Sequence, residues 1–157
     1  MKEAVGTTTI FKLVLAFTLL FSGFLAISIT YNKVYKLKNE TVSIIEKYEG
    51  VNRKSLRIIN NYLHNSGYNI KGHCESGEYG VKDLNYEDYE LAKNNEEYYY
   101  CLNYYCKNRT CSLNDNQIFY KVKVFFKFNL PFFGDLTTFK VTGDTKAIKL
   151  YNRNQKL

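Results

Sequence analysis

The pattern of apolar and polar positions first marks out one long uncharged run. Leu13–Asn32 contains 20 consecutive residues without a charged side chain. At about 1.5 Å per residue, a helix of this length spans about 30 Å, the hydrocarbon thickness of a bilayer. The run is apolar on all sides and the rest of the chain is too small to bury it, so we interpret it as a transmembrane helix rather than a buried core helix. The chain then divides into a short N-terminal segment 1–12, a transmembrane helix 13–32 and a domain 33–157.

The same run also has features of a cleaved signal peptide. Lys2 and Lys12 supply a basic start, and Ala26-Ile27-Ser28 has the small-x-small form of a cleavage site. The apolar run is nevertheless long, and helical sequence continues directly past it. We therefore expect a retained single-pass anchor in the cell membrane, and whether the N-terminal segment is removed stays open.

Two helical patterns follow the uncharged run. Apolar positions at spacings of three and four predict that the first helix continues over 33–50 and ends at or kinks at Gly50. Its helix-packing stripe consists of Val34, Leu37, Ile44 and Tyr48. A second, short helix is predicted over Asn52–Asn65, with Leu56, Ile59 and Leu63 on one face and Ser66-Gly67 as its stop.

From residue 68 onward the pattern is typical of strands. We predict strands over 68–74, 79–84, 98–106, 118–128, 136–142 and 146–151, with 83–97 as a loop or short helix. The predicted turns are 75–77, a four-residue hairpin loop over 107–110, Pro131–Asp135, and a tight turn or bulge at Gly143-Asp144. Helices followed by strands predict an α+β fold in which a long N-terminal transmembrane helix and a short second helix precede an antiparallel sheet stapled by disulfides.

The clearest strand alternates with period two. Ile118, Tyr120, Val122, Val124, Phe126 and Phe128 are predicted to face the core. The intervening residues Phe119, Lys121, Lys123, Phe125 and Lys127 form a mostly basic face that we expect to be exposed to water. Lysines beside aromatics also suit single-stranded nucleic acid. An exposed sheet face kept soluble by lysine is the simpler interpretation, and we expect no nucleic-acid partner.

The four cysteines, Cys74, Cys101, Cys106 and Cys111, form an even set in a small domain, which indicates disulfides and an oxidising compartment. Four cysteines allow three pairings. Cys106 and Cys111 flank the predicted hairpin loop, which favours their pairing and leaves Cys74 with Cys101. The alternative is a zinc site with His73 as a further ligand, but the two short gaps run in series without a second close pair, so we expect no metal.

The net charge of +7 is not concentrated in one tract. Lys and Arg exceed Asp and Glu by five over 33–73 and by six over 118–157, whereas acids exceed bases by six over 74–100. The acidic segment can therefore pair with the basic strands, within one molecule or between neighbours, and the bases next to the span can attract anionic lipid. A positive-inside count would place the domain in the cytoplasm. The cysteines argue for the opposite side, and we expect an extracytoplasmic domain.

A search of the sequence for catalytic groups gives almost nothing. The chain has two histidines, His64 and His73, without a nucleophile motif beside them, and no glycine-rich phosphate loop. Glu87, Asp88 and Glu90 are best interpreted as a solvated loop. We expect no enzyme activity and no cofactor.

The two ends of the chain resemble a known family. MKEAVGTTTIFKLVLAFTLLFSGFLAI resembles the short leader and apolar helix of tight-adherence (Tad) minor pilins, and LPFFGDLTTFKVTGDTKAI resembles the end of TadE-like proteins of low-GC Gram-positive bacteria. Phe11 stands where that family commonly has a glutamate, counting Gly6 as the last leader residue. The resemblance implies a type IV pilin-like or pseudopilin-like subunit that packs its N-terminal helix against neighbouring subunits.

Two functions therefore stand as hypotheses. One is a pilin-like structural subunit of a surface appendage or secretion assembly, with the membrane and neighbouring membrane or pilin-like subunits as partners. The other is a single-pass membrane-anchored ectodomain, of a bacterial surface or a viral envelope, that binds a ligand or partner protein without forming a helical polymer.

Overall fold

The computed structural model describes residues 2–106, 117–127, 129–130, 134–135 and 138–149, with side chains over 8–106, 117–127 and 138–149. The helices are α1 (Lys2–Lys47) and α2 (Arg53–Asn65). The strands are β1 (Tyr79–Val81), β2 (Glu90–Leu91), β3 (Tyr100–Cys106), β4 (Gln117–Phe126), β5 (Asn129–Leu130), β6 (Gly134–Asp135), β7 (Phe139–Asp144) and β8 (Ile148–Lys149). The predicted α+β class is confirmed, with a long apolar helix and a short helix followed by an antiparallel sheet.

Helix α1 runs unbroken through the predicted membrane segment into the folded domain. Its 46 residues correspond to a rod of about 69 Å. The side chains from 8 to 33 lie at the surface or are half-buried, and Val34 is the first of the described side chains that is buried. The helix ends at Lys47, and Glu49 and Gly50 then take positive φ angles of 53° and 129°. The continuation past the uncharged run is thus confirmed.

Helix α2 begins where the sequence predicts it. The side chain of Asn52 accepts a 3.0 Å hydrogen bond from the Ser55 amide, and the Ser55 hydroxyl accepts one of 2.9 Å from the Asn52 amide. This reciprocal capping box satisfies two amides that a helix start leaves without intrahelical partners. The helix ends before Gly67, whose φ of 68° allows the chain to turn away.

The main sheet has the order β2-β1-β3-β4-β7, and all its pairings are antiparallel. Strand β8 also pairs with β4, but in a register shifted by one residue, since Lys121 lies opposite Asp144 and Ile118 lies opposite Ile148. β7 and β8 therefore form one edge strand with a bulge over 145–147. Gly143 and Asp144 both still pair with β4, so the tight turn predicted there is wrong. The predicted alternative, a bulge, is present but lies just after them, over 145–147.

One hydrophobic core joins the two helices to one face of the sheet. Every even-numbered residue of β4 is buried in it, together with Leu102 of β3 and Leu56, Ile59 and Leu63 of α2. Helix α1 crosses β4 and β7. The buried half of the predicted alternation in β4 and the predicted apolar face of α2 are confirmed.

The opposite face of β4 differs from the prediction. Lys123 and Phe125 are both only 3% exposed, because the segment 71–78 crosses over them. The predicted exposed basic face is therefore wrong at these two positions. Among the described residues, 68–74 form no strand and contribute a single isolated bridge, between Gly72 and Tyr98, so the strand predicted over 68–74 is wrong as well.

Two other predictions meet the structure only in part. The polar stretch 83–97 contains the two-residue strand β2, which pairs with β1. β5 and β6 pair with each other, so Gly134 and Asp135 of the predicted turn Pro131–Asp135 are strand residues. The hairpin loop predicted over 107–110, Phe128 and residues 131–133 lie outside the described residues.

Candidate functional site

The first half of α1 presents the largest apolar surface of the described chain. Large apolar side chains are exposed on every side of the helix, at Ile10, Phe11, Leu13, Val14, Leu15, Phe17, Leu19, Leu20, Phe21, Phe24, Leu25 and Ile29. α1 is also the one helix of the described residues that is long and apolar enough to cross a membrane, and none of its most apolar window is buried. Soluble monomers rarely leave such an area in water. The helix is consistent with single-pass membrane anchoring.

The second half of α1 packs on the chain's own sheet. Of the predicted helix-packing residues, Val34, Leu37 and Ile44 are buried in the core, and Tyr48 is half-buried against it. These side chains therefore pack within one molecule. The surface that remains for lipid or for neighbouring helices is the apolar stretch before them.

Close contact fixes how α1 lies on the sheet. A Cβ atom on Gly143 of β7 would overlap the methylene stem of Lys38 and touch Val42. Lys38 is correspondingly buried, with its Nζ 4.2 Å from the centre of the Tyr35 ring. Because the helix has no break between its exposed and buried halves, this contact also fixes the sheet relative to the apolar half.

The predicted Cys74–Cys101 disulfide is present. It joins the crossing segment to β3 over a separation of 27 residues, with the two Cα atoms 5.6 Å apart. Cys106 is disulfide-bonded too, whereas its predicted partner Cys111 lies outside the described residues. A covalent link thus holds the crossing segment against the outer face of the sheet.

Beside the disulfide, four charged side chains form an ion-pair cluster. The Nζ atom of Lys123 lies 2.8 Å and 2.9 Å from the two carboxylate oxygens of Glu78 and 3.1 Å from Glu75 Oε1, and Lys140 Nζ lies 2.6 Å from the same Glu75 oxygen. The hydrogen bonds from Lys140 and then Lys123 lower the pKa of Glu75 to about 2. The acidic segment and the basic strands therefore pair within one molecule, which was one of the two predicted modes.

The residues of the zinc alternative are arranged differently from a metal site. The ligand atoms of Cys74, Cys101 and Glu78 lie within 4.8 Å of one another. However, the two sulfur atoms are bonded to each other, and the Glu78 carboxylate faces the Lys123 ammonium. His73 is exposed and its Nδ1 lies 2.9 Å from the Glu96 carbonyl oxygen. A disulfide and an ion pair thus take up the atoms that a metal would need.

The other polar residues singled out in the sequence are exposed or paired with surface cations. His64 is exposed in the last turn of α2. Glu87 lies 3.8 Å from Arg57, and Glu90 lies 2.6 Å from Lys82. These carboxylates are engaged with surface cations. With Lys123 and Phe125 buried, β4 also does not present a continuous exposed row of lysines and aromatics.

Comparison of the chain with protein-family models, curated proteins and solved structures finds no match.

Proposed function

We propose that this chain is a pilin-like or pseudopilin-like membrane-anchored structural subunit of a surface appendage or secretion assembly. The observation that carries the proposal is the single unbroken helix α1. From Ile10 to Ile29 its large apolar side chains are exposed on all sides, and its second half is packed on the sheet. Such a rod fixes the orientation of the sheet relative to the apolar helix surface on which neighbours would pack.

The exposed half of α1 suits packing against copies of itself. Identical subunits in an open filament must use the same head-to-tail contact repeatedly, which requires a fixed geometry between the contact surface and the displayed domain. The contact of Lys38 with Gly143 holds that geometry in this chain. In a membrane the same apolar surface is solvated by lipid, so a subunit can be stored there before it assembles.

The sheet is proposed to lie outside the cytoplasm. Disulfides persist in oxidising compartments and are rare in the cytosol. In the described chain, Cys74, Cys101 and Cys106 are all disulfide-bonded. A role in structure and display, without catalysis, accounts for the ion-pair cluster, because its charges hold the segment 71–78 against the sheet.

Cysteine scanning of α1 tests the assembly. Pairs of cysteines introduced between Leu13 and Leu25, one on each of two helix faces, should crosslink copies in oxidised cells that make the appendage, because a head-to-tail contact joins different residues of two copies. As one cysteine is moved along the helix, the yield should peak every three to four residues. Leu91→Cys, at an exposed position on β2, is the matched control for random collision. Pairs of cysteines on opposite helix faces should give a ladder of multimers.

The scan also separates the two hypotheses. Only monomers in cells that make the appendage would contradict the assembly and favour a single-pass anchored ectodomain that binds a ligand or partner protein. Uniform crosslinking without a helical period would contradict a specific contact.

A second experiment tests the orientation. A membrane-impermeant maleimide should label Leu91→Cys on intact cells and should label Thr8→Cys, on the other side of the uncharged run, only after lysis. The reverse pattern would place the sheet in the cytoplasm.

A further inference from the structure

Four aromatic rings form a continuous stack where α1 leaves the sheet. The Tyr35 and Tyr31 ring centres are 6.1 Å apart on the helix, Tyr31 meets Phe126 of β4 edge-on at 6.3 Å, and Phe126 stacks on Phe139 of β7 at 5.4 Å. Phe126 is buried, but Tyr31, Tyr35 and Phe139 are 46%, 45% and 41% exposed. We refer to these four residues as the aromatic cluster.

The aromatic cluster lies at the level where the uncharged run ends. Tyr31 is the penultimate residue of Leu13–Asn32. If that run crosses the bilayer, the hydrocarbon boundary falls near Tyr31, and the headgroup layer extends about 5 to 8 Å beyond it. The Phe126 ring lies 6.3 Å from the Tyr31 ring, and the Phe139 ring lies 5.4 Å further on, from Phe126. This end of the sheet therefore lies next to the same layer.

On the helix, the charged residues nearest to the aromatic cluster are all positive. Lys33, Lys36 and Lys38 follow the run, and the next acid, Glu40, comes nine residues after Tyr31, or about 13.5 Å along the helix. On the sheet, the exposed Lys127 follows Phe126.

Two acids belong near this end of the sheet: Asp135 of β6 in the connection between Phe126 and Phe139, and Glu75 of the segment 71–78. Glu75 is paired with Lys140, the residue after Phe139, and with Lys123. Amphipathic aromatic rings beside lysines are typical of the membrane–water interface, where the cations meet anionic headgroups.

We propose that the end of the sheet formed by the aromatic cluster is a second membrane contact, which seats in the headgroup layer and prefers anionic lipid. The inference rests on the membrane anchoring in the proposed function and does not require assembly. It makes the sheet lie directly on the bilayer, so α1 and the sheet are held in the membrane as one body. A free copy of the subunit would then already be oriented.

The test uses spin labels on the full chain in lipid nanodiscs that hold one copy each. A nitroxide at Thr138→Cys, next to Phe139, should be several-fold more accessible to oxygen, relative to a water-soluble nickel chelate, than a nitroxide at Lys149→Cys at the other end of the sheet. Both positions are exposed in the structure. The difference should be larger in discs of phosphatidylcholine with phosphatidylglycerol than in discs of phosphatidylcholine alone.

Variants in the aromatic cluster give the matched comparison. Phe139→Ser should move the label at 138 toward the aqueous value, whereas Leu91→Ser, which removes an exposed apolar side chain far along the sheet order, should leave it unchanged. Thermal melts of both variants show whether the sheet is still folded. The comparison of 138 with 149 in the otherwise unaltered chain does not depend on either variant.

Several results would overturn the inference. Equal, aqueous accessibility at 138 and 149 would refute the contact, and identical results in both disc types would refute the preference for anionic lipid. Protection at 138 only in discs with several copies would assign the aromatic cluster to a protein contact. A label at Leu20→Cys that stays outside the bilayer would refute the anchoring itself, whereas the crosslinking scan judges assembly separately.

Discussion

The hydroxyl of Tyr100 donates a 2.8 Å hydrogen bond to Oδ1 of Asn60 and thereby joins the middle of the sheet to α2. Both side chains are buried, and burial raises the pKa of Tyr100 above its ordinary range. The Asn60 amide nitrogen donates a second bond, of 2.6 Å, to the Tyr86 carbonyl. One asparagine therefore holds a helix, a strand and a loop together.

Replacing this asparagine should destabilise the domain. Asn60→Ala leaves the Tyr100 hydroxyl and the Tyr86 carbonyl without their partner, which we expect to cost about 2 to 3 kcal/mol in the free energy of unfolding. Urea unfolding of the full chain in detergent micelles measures the loss. The neighbouring Asn61 is exposed, so Asn61→Ala should change the value by less than about 0.5 kcal/mol. Equal effects of the two substitutions would contradict the role of Asn60.

A methyl group on Gly72 should disturb the outer face of the sheet. Gly72 forms a two-hydrogen-bond bridge with Tyr98, and a Cβ on it would overlap ring carbons of the buried Phe125. We expect Gly72→Ala to cost about 1 to 3 kcal/mol, as overpacking does elsewhere. Thermal melting should show a lower midpoint, while Gly23→Ala, where a Cβ has open space, should leave it unchanged. If Phe125→Leu restores none of the stability, overlap with that ring is not the cause.

Removing the cation from the ion-pair cluster should be more costly than removing both charges. Lys123→Met leaves the Glu78 carboxylate, with only 6% of its side chain exposed, without its nearest cation. We expect a loss of about 3 to 5 kcal/mol, much of it recovered in Lys123→Met/Glu78→Gln because no lone buried charge remains. Lys121→Met, on the same strand but only half-buried, is the control. A double variant as unstable as the single one would rule out charge burial as the reason.

Acid should weaken the same cluster through Glu75. The pKa of this carboxyl is lowered from 4.5 to about 2 in the folded chain, first by the hydrogen bond from Lys140. Between these values the unfolded chain binds the proton more readily, so stability rises with pH. The contribution is full above about pH 4.5 and is lost as pH falls toward 2.

The effect should be modest and sensitive to salt, because 63% of the Glu75 side chain is exposed. Glu75→Gln should flatten the dependence of the melting temperature on pH in this window. Glu97→Gln, at another exposed acid, serves as the comparison. An unchanged slope in Glu75→Gln would show that the native ion pairs contribute nothing there.

Hydrophobic periodicity correctly predicted the elements whose buried face follows from their own sequence. The stripe from Val34 to Ile44 and the face around Ile59 follow from helical spacing, and the alternation around Val122 follows from the pleat. Alternation shows which residues share a face of the sheet but not what covers that face. Lys123 and Phe125 were therefore expected in water, although the acidity of 74–100 already indicated an acidic partner for the basic strands, in the same molecule or in a neighbour.

Tyr68 shows why the predicted strand over 68–74 fails. Its hydroxyl lies 2.9 Å from the Tyr99 carbonyl oxygen and 3.0 Å from that of Phe125, and it accepts a 3.0 Å bond from the Phe125 amide. The Tyr68 side chain thus forms hydrogen bonds with backbone groups that would otherwise pair with a neighbouring strand. The β-favouring composition of this segment is overridden by contacts with residues 31 and 57 positions away, which local sequence does not encode.

The aromatic cluster was unpredictable for the same reason. Tyr31 and Phe139 lie in separate parts of the sequence, and only the crossing of α1 over β4 and β7 brings their rings into one stack. The long apolar helix itself was evident from the uncharged run. The position of the sheet beside it required the tertiary structure.

The bulge on the edge strand affects whether many copies can lie close together in one membrane without aggregating through their sheets. A long, flat strand at the edge of a sheet offers unpaired amides and carbonyls to any neighbour, which is the route to uncontrolled fibre growth. Here the register shift after Asp144 interrupts one edge of the described sheet, and Thr145 turns its own amide and hydroxyl inward to Tyr120. The opposite edge is β2, two residues long. Lateral association of copies through the bulged edge is therefore disfavoured, which in the proposed assembly leaves the helices as the contact.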